Sequence, residues 1–165
     1  IGVWPGFCER IYGLAVDVGS TTIAGHLCDL TNGEVVASAG FMNPQIRFGE
    51  DLMSRVSYAM MNPEGARQMT GAVRTALGDL VRQVAHSAGI ERDAILEVTL
   101  VGNPIMHHLV LGIDPVELGG APFALAVDGP VTVTAAELGI SRPTLPAALS
   151  MGVLAASTGL VSVAP

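Results

Sequence analysis

The chain has 165 residues, of which half are apolar and only 14% are charged; this composition excludes intrinsic disorder and suits one domain with a core of its own. The formal net charge of −7 argues against a nucleic-acid partner. It does not exclude a bound nucleotide, because backbone N–H groups and a metal ion can hold phosphate. All eight basic residues are arginine, which excludes a P-loop lysine, a Schiff-base lysine and a Ser–Lys dyad within the chain.

Cysteine content and terminal composition indicate a cytoplasmic protein. Cys8 and Cys28 are too few for a disulfide framework or for a cluster held by four thiolates. The segment Ile1–Arg10 lacks the basic and long apolar regions of a secretion signal. The uncharged stretch Pro143–Pro165 carries three prolines and two glycines, so we predict a buried strand and helix there, not a membrane span.

The first forty residues are predicted to form three strands in an antiparallel meander. The apolar runs Ile11–Val18, Ile23–Leu30 and Val35–Phe41 are the three strands. A tight turn at Gly19–Thr22 joins the first two. Asn32-Gly33, between the second and third, is a strong hairpin signal.

Helical periodicity follows a loop that runs from Asn43 to Asp51. A helix opened by Glu50 or Asp51 is predicted to reach Met61. A long helix then runs to about Ser87, with Asn62 as its N-cap and Pro63 in the first position. Gly89 stands where a C-terminal cap belongs. One face of this helix carries an apolar stripe of Val73, Leu77, Leu80, Val81 and Val84.

The rest of the chain contains fewer regular elements. Ile95–Val101 is predicted as a fourth strand, Ile105–Leu111 as a short helix and Val131–Thr134 as a further strand, before a turn at Glu137–Gly139. Three strands, helices, a strand and a helix do not alternate as in a doubly wound nucleotide fold. The order matches the α/β, ribonuclease-H-like lobe of actin-type ATPases, in which a three-stranded antiparallel meander and further strands pack with helices.

The turn between the first two strands carries the sharpest motif, Asp17-Val18-Gly19-Ser20-Thr21-Thr22. Gly19 permits a sharp turn and close approach to a ligand. The following N–H groups and the hydroxyls of Ser20, Thr21 and Thr22 can donate to phosphate oxygens. Asp17 can hold a hydrated Mg²⁺. We therefore predict a nucleotide-phosphate site in which Asp17 binds the metal through water. The alternative is an ordinary Gly-Ser hairpin capped by Asp17.

Three sequence blocks together resemble a known family. The block Tyr12–Thr22 is similar to the first phosphate strand and loop of the actin/sugar-kinase/heat-shock-protein ATPase (ASKHA) superfamily. Two further blocks narrow the resemblance to the C-terminal ATPase domain of the reductive activators of corrinoid proteins. They are Asn43–Val56 and Val101–Leu109, the latter continuing through Gly112–Pro115 and Ala121–Phe123. The resemblance covers roughly Tyr12 to Phe123.

This resemblance implies a function. Family members take a low-potential electron from an N-terminal [2Fe-2S] domain and couple ATP to the reduction of an inactive Co(II) corrinoid to Co(I). That reduction returns a methyl carrier of one-carbon metabolism to its cycle. The chain would then be an ATP- and Mg²⁺-binding lobe whose partner is a corrinoid protein. The [2Fe-2S] domain is absent from it, no catalytic residue is assigned, and a homodimer stays open.

The resemblance also implies a domain division. Residues 1–10 would be the tail of an upstream linker or middle region, and residues 11–140 the first lobe of the ATPase domain. Residues 141–165 would be a divergent or truncated start of the second lobe. Met151–Gly159 lacks the aspartate expected there, and neither a second phosphate loop nor an adenosine pocket is recognisable. Weak nucleotide binding is therefore expected of this chain alone.

Polar residues beside the first predicted helix are further candidates. Under the resemblance, Asn43, Gln45, Asp51 and Arg55 would line the cleft or its interface. The alternative makes Asp51 a charge at the helix N-terminus and Arg55 its i+4 ion-pair partner.

The junction after the fourth strand carries a second group of candidates. Gly102 and Asn103 stand where a strand ends and a helix starts, a position suited to contacting an anion; the alternative is a simple Asn cap. His107 and His108 are adjacent and would point about 100° apart on a helix. We therefore predict a structural or surface role for them and no shared metal.

Two other functions stay open. An isolated lobe could be a non-catalytic fragment or a docking module for a corrinoid protein. A small-molecule phosphotransferase of the same superfamily would need a catalytic acid and a substrate pocket, and the sequence contains neither motif.

Overall fold

A computed structural model describes residues 9–140 and 148–153 of the chain. The elements predicted between residues 11 and 134 are present, with bounds that differ from the expected ones by at most two residues. In chain order, the strands and α-helices are β1 (Tyr12–Val18), β2 (Thr22–Asp29), β3 (Glu34–Met42), α1 (Leu52–Met61), α2 (Gly65–Ala88), β4 (Ile95–Gly102), α3 (Pro104–Leu111), β5 (Val131–Thr134) and β6 (Ala148–Val153).

The strands form one mixed sheet in the order β3-β2-β1-β4-β6-β5. Neighbouring strands β1, β2 and β3 pair antiparallel, as the predicted meander requires. Strand β4 runs parallel to β1, and β6 runs parallel to β4. Because these three strands point the same way, their carboxyl ends meet at one edge of the sheet. Short β5 pairs antiparallel with β6.

The position of β6 differs from the predicted domain division. The sequence assigned residues 141–165 to the start of a second lobe, whereas β6 lies between β4 and β5 within the same sheet. An uncharged apolar run indicates a buried strand but not which neighbours it pairs with, since long-range packing decides that. Three other sequence predictions lie outside the described residues. They concern Cys8 and the parts of Pro143–Pro165 and Met151–Gly159 that do not belong to β6. Within the described ranges, no helix is both long enough and apolar enough to span a membrane.

The core lies between one face of the sheet and the helices. Period-two alternation buries Leu14, Val16 and Val18 of β1 on this face. Helix α2 packs across β2 and β3, and α3 packs against β4 and α2. Four residues of the predicted stripe are buried, and Val81 is half-buried; the four are Val73, Leu77, Leu80 and Val84. A Cβ on Gly25 of β2 would lie 2.8 Å from Leu80 Cδ2, so this glycine lets α2 approach the sheet closely.

The break between α1 and α2 corrects one prediction. Asn62 does not cap the start of α2, which has Glu64 at its N-cap position. Asn62 ends α1, where its backbone N–H and its side-chain Nδ2 both donate to the Tyr58 carbonyl oxygen at 3.0 and 2.8 Å. The physical reason is that the Asn62 side chain is bonded to α1, while Pro63 holds Asn62 in the extended conformation that ends this helix, with φ −126° and ψ 112°.

We expect Leu80→Ala to lower the free energy of unfolding by about 2–5 kcal/mol, because the side chain is fully buried where α2 meets β2. Urea denaturation followed by circular dichroism measures the change. Met61→Ala is the control, since Met61 is 75% exposed at the end of α1 and its truncation should cost less than about 0.5 kcal/mol. Equal losses in the two variants would contradict the packing of α2 on the sheet.

Candidate functional site at the carboxyl edge of the sheet

The structure brings two of the predicted motifs together at the carboxyl edge of β1 and β4. Asp17 is the last exposed residue of β1. In the parallel pairing, Asp17 lies opposite Val101 and Val18 lies opposite Gly102. The turn that follows β1 and the Gly102-Asn103 junction that follows β4 therefore share one edge. In open α/β sheets, ligands bind outside the carboxyl ends of parallel strands.

The turn Asp17–Thr22, called here the hydroxyl loop, is closed by one backbone hydrogen bond. Gly19 N–H donates to the Thr22 carbonyl oxygen at 3.0 Å. A Cβ on Gly19 would lie 2.7 Å from that oxygen, so no larger residue fits without opening the turn. Thr21 and Thr22 are exposed and Ser20 is half-buried. Within the described part of the chain, the backbone N–H groups of Ser20 and Thr21 donate to no protein acceptor, so they are available to a ligand.

Asn43 holds the hydroxyl loop from behind. Its side chain is fully buried, and Nδ2 donates to the Gly19 carbonyl oxygen at 2.8 Å. Its backbone N–H donates to the Thr21 carbonyl oxygen at 2.8 Å. Its Oδ1 accepts from Gln45 N–H at 2.9 Å and so caps a 3-10 turn at Pro44–Phe48. One asparagine thus fastens the loop on both sides of Ser20.

Arg55 of α1 fastens the same loop with a charged group. The side chain is 0% exposed, and Nη2 donates to the Ser20 carbonyl oxygen. Nε donates to the Gly49 carbonyl oxygen at 2.9 Å, and Nη1 lies 3.4 Å from Met106 Sδ of α3. Burial lowers the pKa of Arg55, an effect that the Asp51 carboxylate opposes, but a guanidinium in a protein stays protonated. A positive charge therefore lies directly behind the loop.

The remaining candidates around α1 have structural contacts. Gln45 is buried, and its Nε2 donates to the Met69 carbonyl oxygen of α2 at 3.0 Å. Asp51 is the exposed N-cap of α1, and accepting from Ser54 N–H at 2.7 Å holds the pKa of Asp51 below its usual range. Arg55 turns to backbone carbonyls and does not pair with Asp51. Asn43, Gln45 and Arg55 therefore lie beneath the loop, not along an open cleft.

Gly102 and Asn103 shape the neighbouring strand end. Asn103 Oδ1 accepts from Met106 N–H at 3.0 Å and caps α3. A Cβ on Gly102 would lie 3.1 Å from the Val18 carbonyl oxygen, so glycine lets the ends of β1 and β4 approach closely.

The histidine pair is structural, and the surface alternative is wrong. His108 is buried, with Nδ1 2.8 Å from the Pro104 carbonyl oxygen and Nε2 3.1 Å from the backbone nitrogen of Ala126. A neutral ring that donates from Nδ1 and accepts at Nε2 satisfies both contacts. His107 is fully buried, and neither ring nitrogen has a hydrogen-bond partner among the described residues. Those residues also contain no cluster of three or more metal-binding side chains.

Two residues behind the loop were missed by the sequence analysis. Gly49 supplies the second carbonyl for Arg55, and a Cβ on it would lie 2.7 Å from both Arg55 N and Ser54 Cβ. Met106 places its sulfur 3.4 Å from Arg55 Nη1 and 3.8 Å from Asn43 Nδ2. In the sequence, only Gly49 itself could have indicated this contact, because glycine often stands where another part of the chain approaches the backbone closely.

Fold and site together define a class of protein: a mixed α/β lobe whose carboxyl edge carries a hydroxyl-rich turn, fastened from behind by buried polar side chains. The family model of the RACo middle region matches residues 12–159, and the chain belongs to this family. The resemblance to corrinoid activators is thereby confirmed, but the matched part is the middle region, whereas the motifs resembled the C-terminal domain.

Individual relatives agree with this assignment. The corrinoid activation enzyme RamQ of Eubacterium limosum is 38% identical over 115 residues, which make up 70% of this chain and 19% of that protein. The solved structure of a reductive activator for corrinoid, iron-sulfur protein matches with a TM-score of 0.83 and 33% identity. That match covers 88% of this chain and 23% of the other. The chain therefore spans about a fifth of the length of these relatives.

We expect Asn43→Ala to lower the free energy of unfolding by roughly 1–3 kcal/mol, because it leaves the Gly19 carbonyl and the Gln45 N–H without their partner. Urea denaturation measures the loss, and amide hydrogen exchange at Gly19 reports the loosened turn. Asn32→Ala is the control, since Asn32 is exposed and bonds only to Glu34; we expect a loss below about 1 kcal/mol. A control variant as unstable as Asn43→Ala would contradict the role of Asn43.

Stability should also depend on pH through His107. Burial lowers the pKa of His107, and the neighbouring His108 lowers it further, whereas a histidine in the unfolded chain titrates near about pH 6.5. The unfolded state therefore binds more protons in acid, and this contribution to stability, present above about pH 6.5, is lost as the pH falls.

We expect the unfolding free energy to fall less between about pH 7.5 and 5.5 in His107→Leu than in the natural sequence, because the buried titrating group is gone. Denaturant titrations at several pH values measure the slope. Leu109→Val removes packing from the same buried helix but no titrating group, so it should keep the natural slope. An unchanged slope in His107→Leu would exclude His107 as its source.

Proposed function

We propose that this chain is the nucleotide-phosphate-binding lobe of an ATP-dependent reductive activator of corrinoid proteins. One observation carries the proposal. At the carboxyl edge of two parallel strands, the hydroxyl loop presents N–H groups and hydroxyls while its carbonyls are bonded to Asn43 and Arg55 behind it. A turn whose N–H and O–H donors face outward, while its carbonyl oxygens are hydrogen-bonded on the inner side, is suited to binding an anion.

The strand order supports the actin-type, ribonuclease-H-like part of this proposal. An antiparallel meander of β3, β2 and β1 continues into parallel β4 and β6. The hydroxyl loop joins the first two strands of the meander. The phosphate loop of the ASKHA superfamily, which this segment resembles, likewise follows its first strand. Under this proposal, residues 11–140 and β6 together form the first lobe.

The chemistry of the loop fits the phosphates of Mg-ATP. Ser20, Thr21 and Thr22 supply hydroxyl donors. The N–H groups of Ser20 and Thr21, which have no acceptor within the described residues, add two more donors. Asp17 is the one carboxylate of the loop and is exposed, which suits a Mg²⁺ ion that keeps several of its waters. When bound, Mg²⁺ would offset the repulsion between Asp17 and phosphate. The loop residues bind and orient the phosphates, and none of them is a redox group.

The names of the relatives support a corrinoid protein as the partner. One is called a corrinoid activation enzyme and the other a reductive activator for a corrinoid, iron-sulfur protein. The two cysteines of this sequence are too few to hold a [2Fe-2S] cluster with four thiolates. We therefore propose that this lobe binds the nucleotide and that another part of the activator supplies the electron.

Calorimetric titration of Mg-ATP into the chain and into Asp17→Ala tests the proposal. We expect weak binding to the natural sequence and an affinity about tenfold or more weaker in the variant, equivalent to about 1.4 kcal/mol, because the metal loses its carboxylate. Asp93→Ala is the matched control: Asp93 lies just before β4, at the opposite edge of the sheet, so its removal should leave binding intact.

A folded natural chain that binds no Mg-ATP would overturn the proposal. A docking module or inactive fragment would then describe the lobe better. Equal affinity in the natural chain and in Asp17→Ala would place the nucleotide away from the hydroxyl loop.

A further inference from the structure

Arg55 is a buried cation that forms no ion pair within the described residues. It is 0% exposed, and the ion pairs formed within the described ranges involve Arg10, Arg67 and Arg82 instead. The nearest acid along α1, Asp51, is exposed and accepts from Ser54 N–H. Burying a charge is costly unless it is paired, so a retained unpaired charge calls for a reason.

The contacts of Arg55 give each of its side-chain nitrogens a partner, but none of these partners is a carboxylate. The acceptors are the carbonyl oxygens of Ser20 and Gly49 and, 3.5 Å from Nη1, Gln45 Oε1, while Met106 Sδ also lies beside Nη1. All four groups are neutral, and the Asp51 carboxylate acts on Arg55 without contacting it. Because the side chain is fully buried, its charge acts on whatever binds on the outer side of the hydroxyl loop with less screening than an exposed charge would have.

The same contact orients the loop. In a trans peptide unit the C=O and the N–H point in opposite directions. Because Arg55 holds the Ser20 carbonyl inward, the N–H of the same peptide unit, which belongs to Thr21, points outward. Asn43 holds the Gly19 carbonyl inward, so the Ser20 N–H points outward as well. These are the two N–H groups of the loop that have no acceptor within the described residues.

We propose that Arg55 is a positioning residue that makes the hydroxyl loop selective for the more highly charged polyphosphate. Its hydrogen bond sets the direction of the Thr21 N–H, and its charge attracts the bound anion from the inner side of the loop. The inference rests on the proposed function, because it assumes that the loop binds nucleotide phosphates. It adds that the loop distinguishes a nucleoside triphosphate from a diphosphate through a charge that never touches the ligand.

Two variants separate charge from hydrogen bonding. Arg55→Gln keeps an N–H donor near the Ser20 carbonyl but removes the charge, whereas Arg55→Lys keeps the charge but loses the planar fork. Calorimetric titrations with Mg-ATP and with Mg-ADP give the ratio of the two affinities for each protein. A purely structural role for Arg55 would weaken both nucleotides alike and leave that ratio unchanged.

We expect Arg55→Gln to bind Mg-ATP roughly tenfold more weakly and Mg-ADP less affected, so that the ATP-to-ADP ratio falls, since the Coulomb energy scales with ligand charge. Arg55→Lys should keep a ratio close to that of the natural chain. Arg82→Met is the control for net charge: Arg82 is exposed and pairs with Asp79 on the surface of α2, so its loss should leave the ratio unchanged.

The outcomes separate this inference from the proposed function. A natural chain that binds no Mg-ATP overturns both. A natural chain that binds, with the same ATP-to-ADP ratio in Arg55→Gln, overturns only the role of Arg55.

Amide hydrogen exchange on the natural chain keeps the inference testable if both variants fail to fold. Exchange at Ser20 and Thr21 should slow when Mg-ATP binds, because their N–H groups then face an acceptor. Unchanged exchange at both residues in a chain that binds Mg-ATP would place the nucleotide away from the loop and overturn the proposed function together with this inference.

Discussion

Two buried hydrogen bonds, from Asn43 to the Gly19 carbonyl and from Arg55 to the Ser20 carbonyl, determine what the hydroxyl loop can do. A turn of glycine, serine and threonine has many accessible conformations when it stands alone. Fastening two successive carbonyls removes most of that freedom and fixes the direction of the following N–H groups. Under the proposed function, the loop is held in its binding conformation by side chains that belong to the core, and a ligand need not order the turn itself.

The rest of the fold keeps those two side chains in place. Arg55 is carried by α1, and Asn43 stands at the end of β3 and caps the 3-10 turn that follows. Gln45 connects this turn to α2 through the Met69 carbonyl, and Met106 brings α3 against the same cluster. Three helices and the sheet therefore meet behind the loop, so a loss of helix packing would reach the site through these contacts.

Periodicity predicted most of the fold, because strands and amphipathic helices leave a direct trace in the order of apolar residues. The Asp17–Thr22 motif and the Asn103 cap were likewise visible, since both depend on neighbours in sequence. The family resemblance led us to expect Asn43, Gln45 and Arg55 along the cleft or its interface. Their partners are backbone carbonyls up to 35 residues away, and no local pattern reveals such a pairing. For the same reason the sequence did not show that β6 inserts between β4 and β5.

The span between the loop and Arg55 also bears on how such sites arise and spread. A short phosphate loop is often treated as a portable unit that can be copied from one protein into another. Here the six-residue turn and its supports extend from Asp17 to Arg55, and glycine at position 49 is needed for the chain to pass beside the arginine. Transferring the hexapeptide alone into another protein would reproduce the sequence of the motif but not its rigid conformation. A graft that kept this rigidity would need the meander together with the first turn of α1.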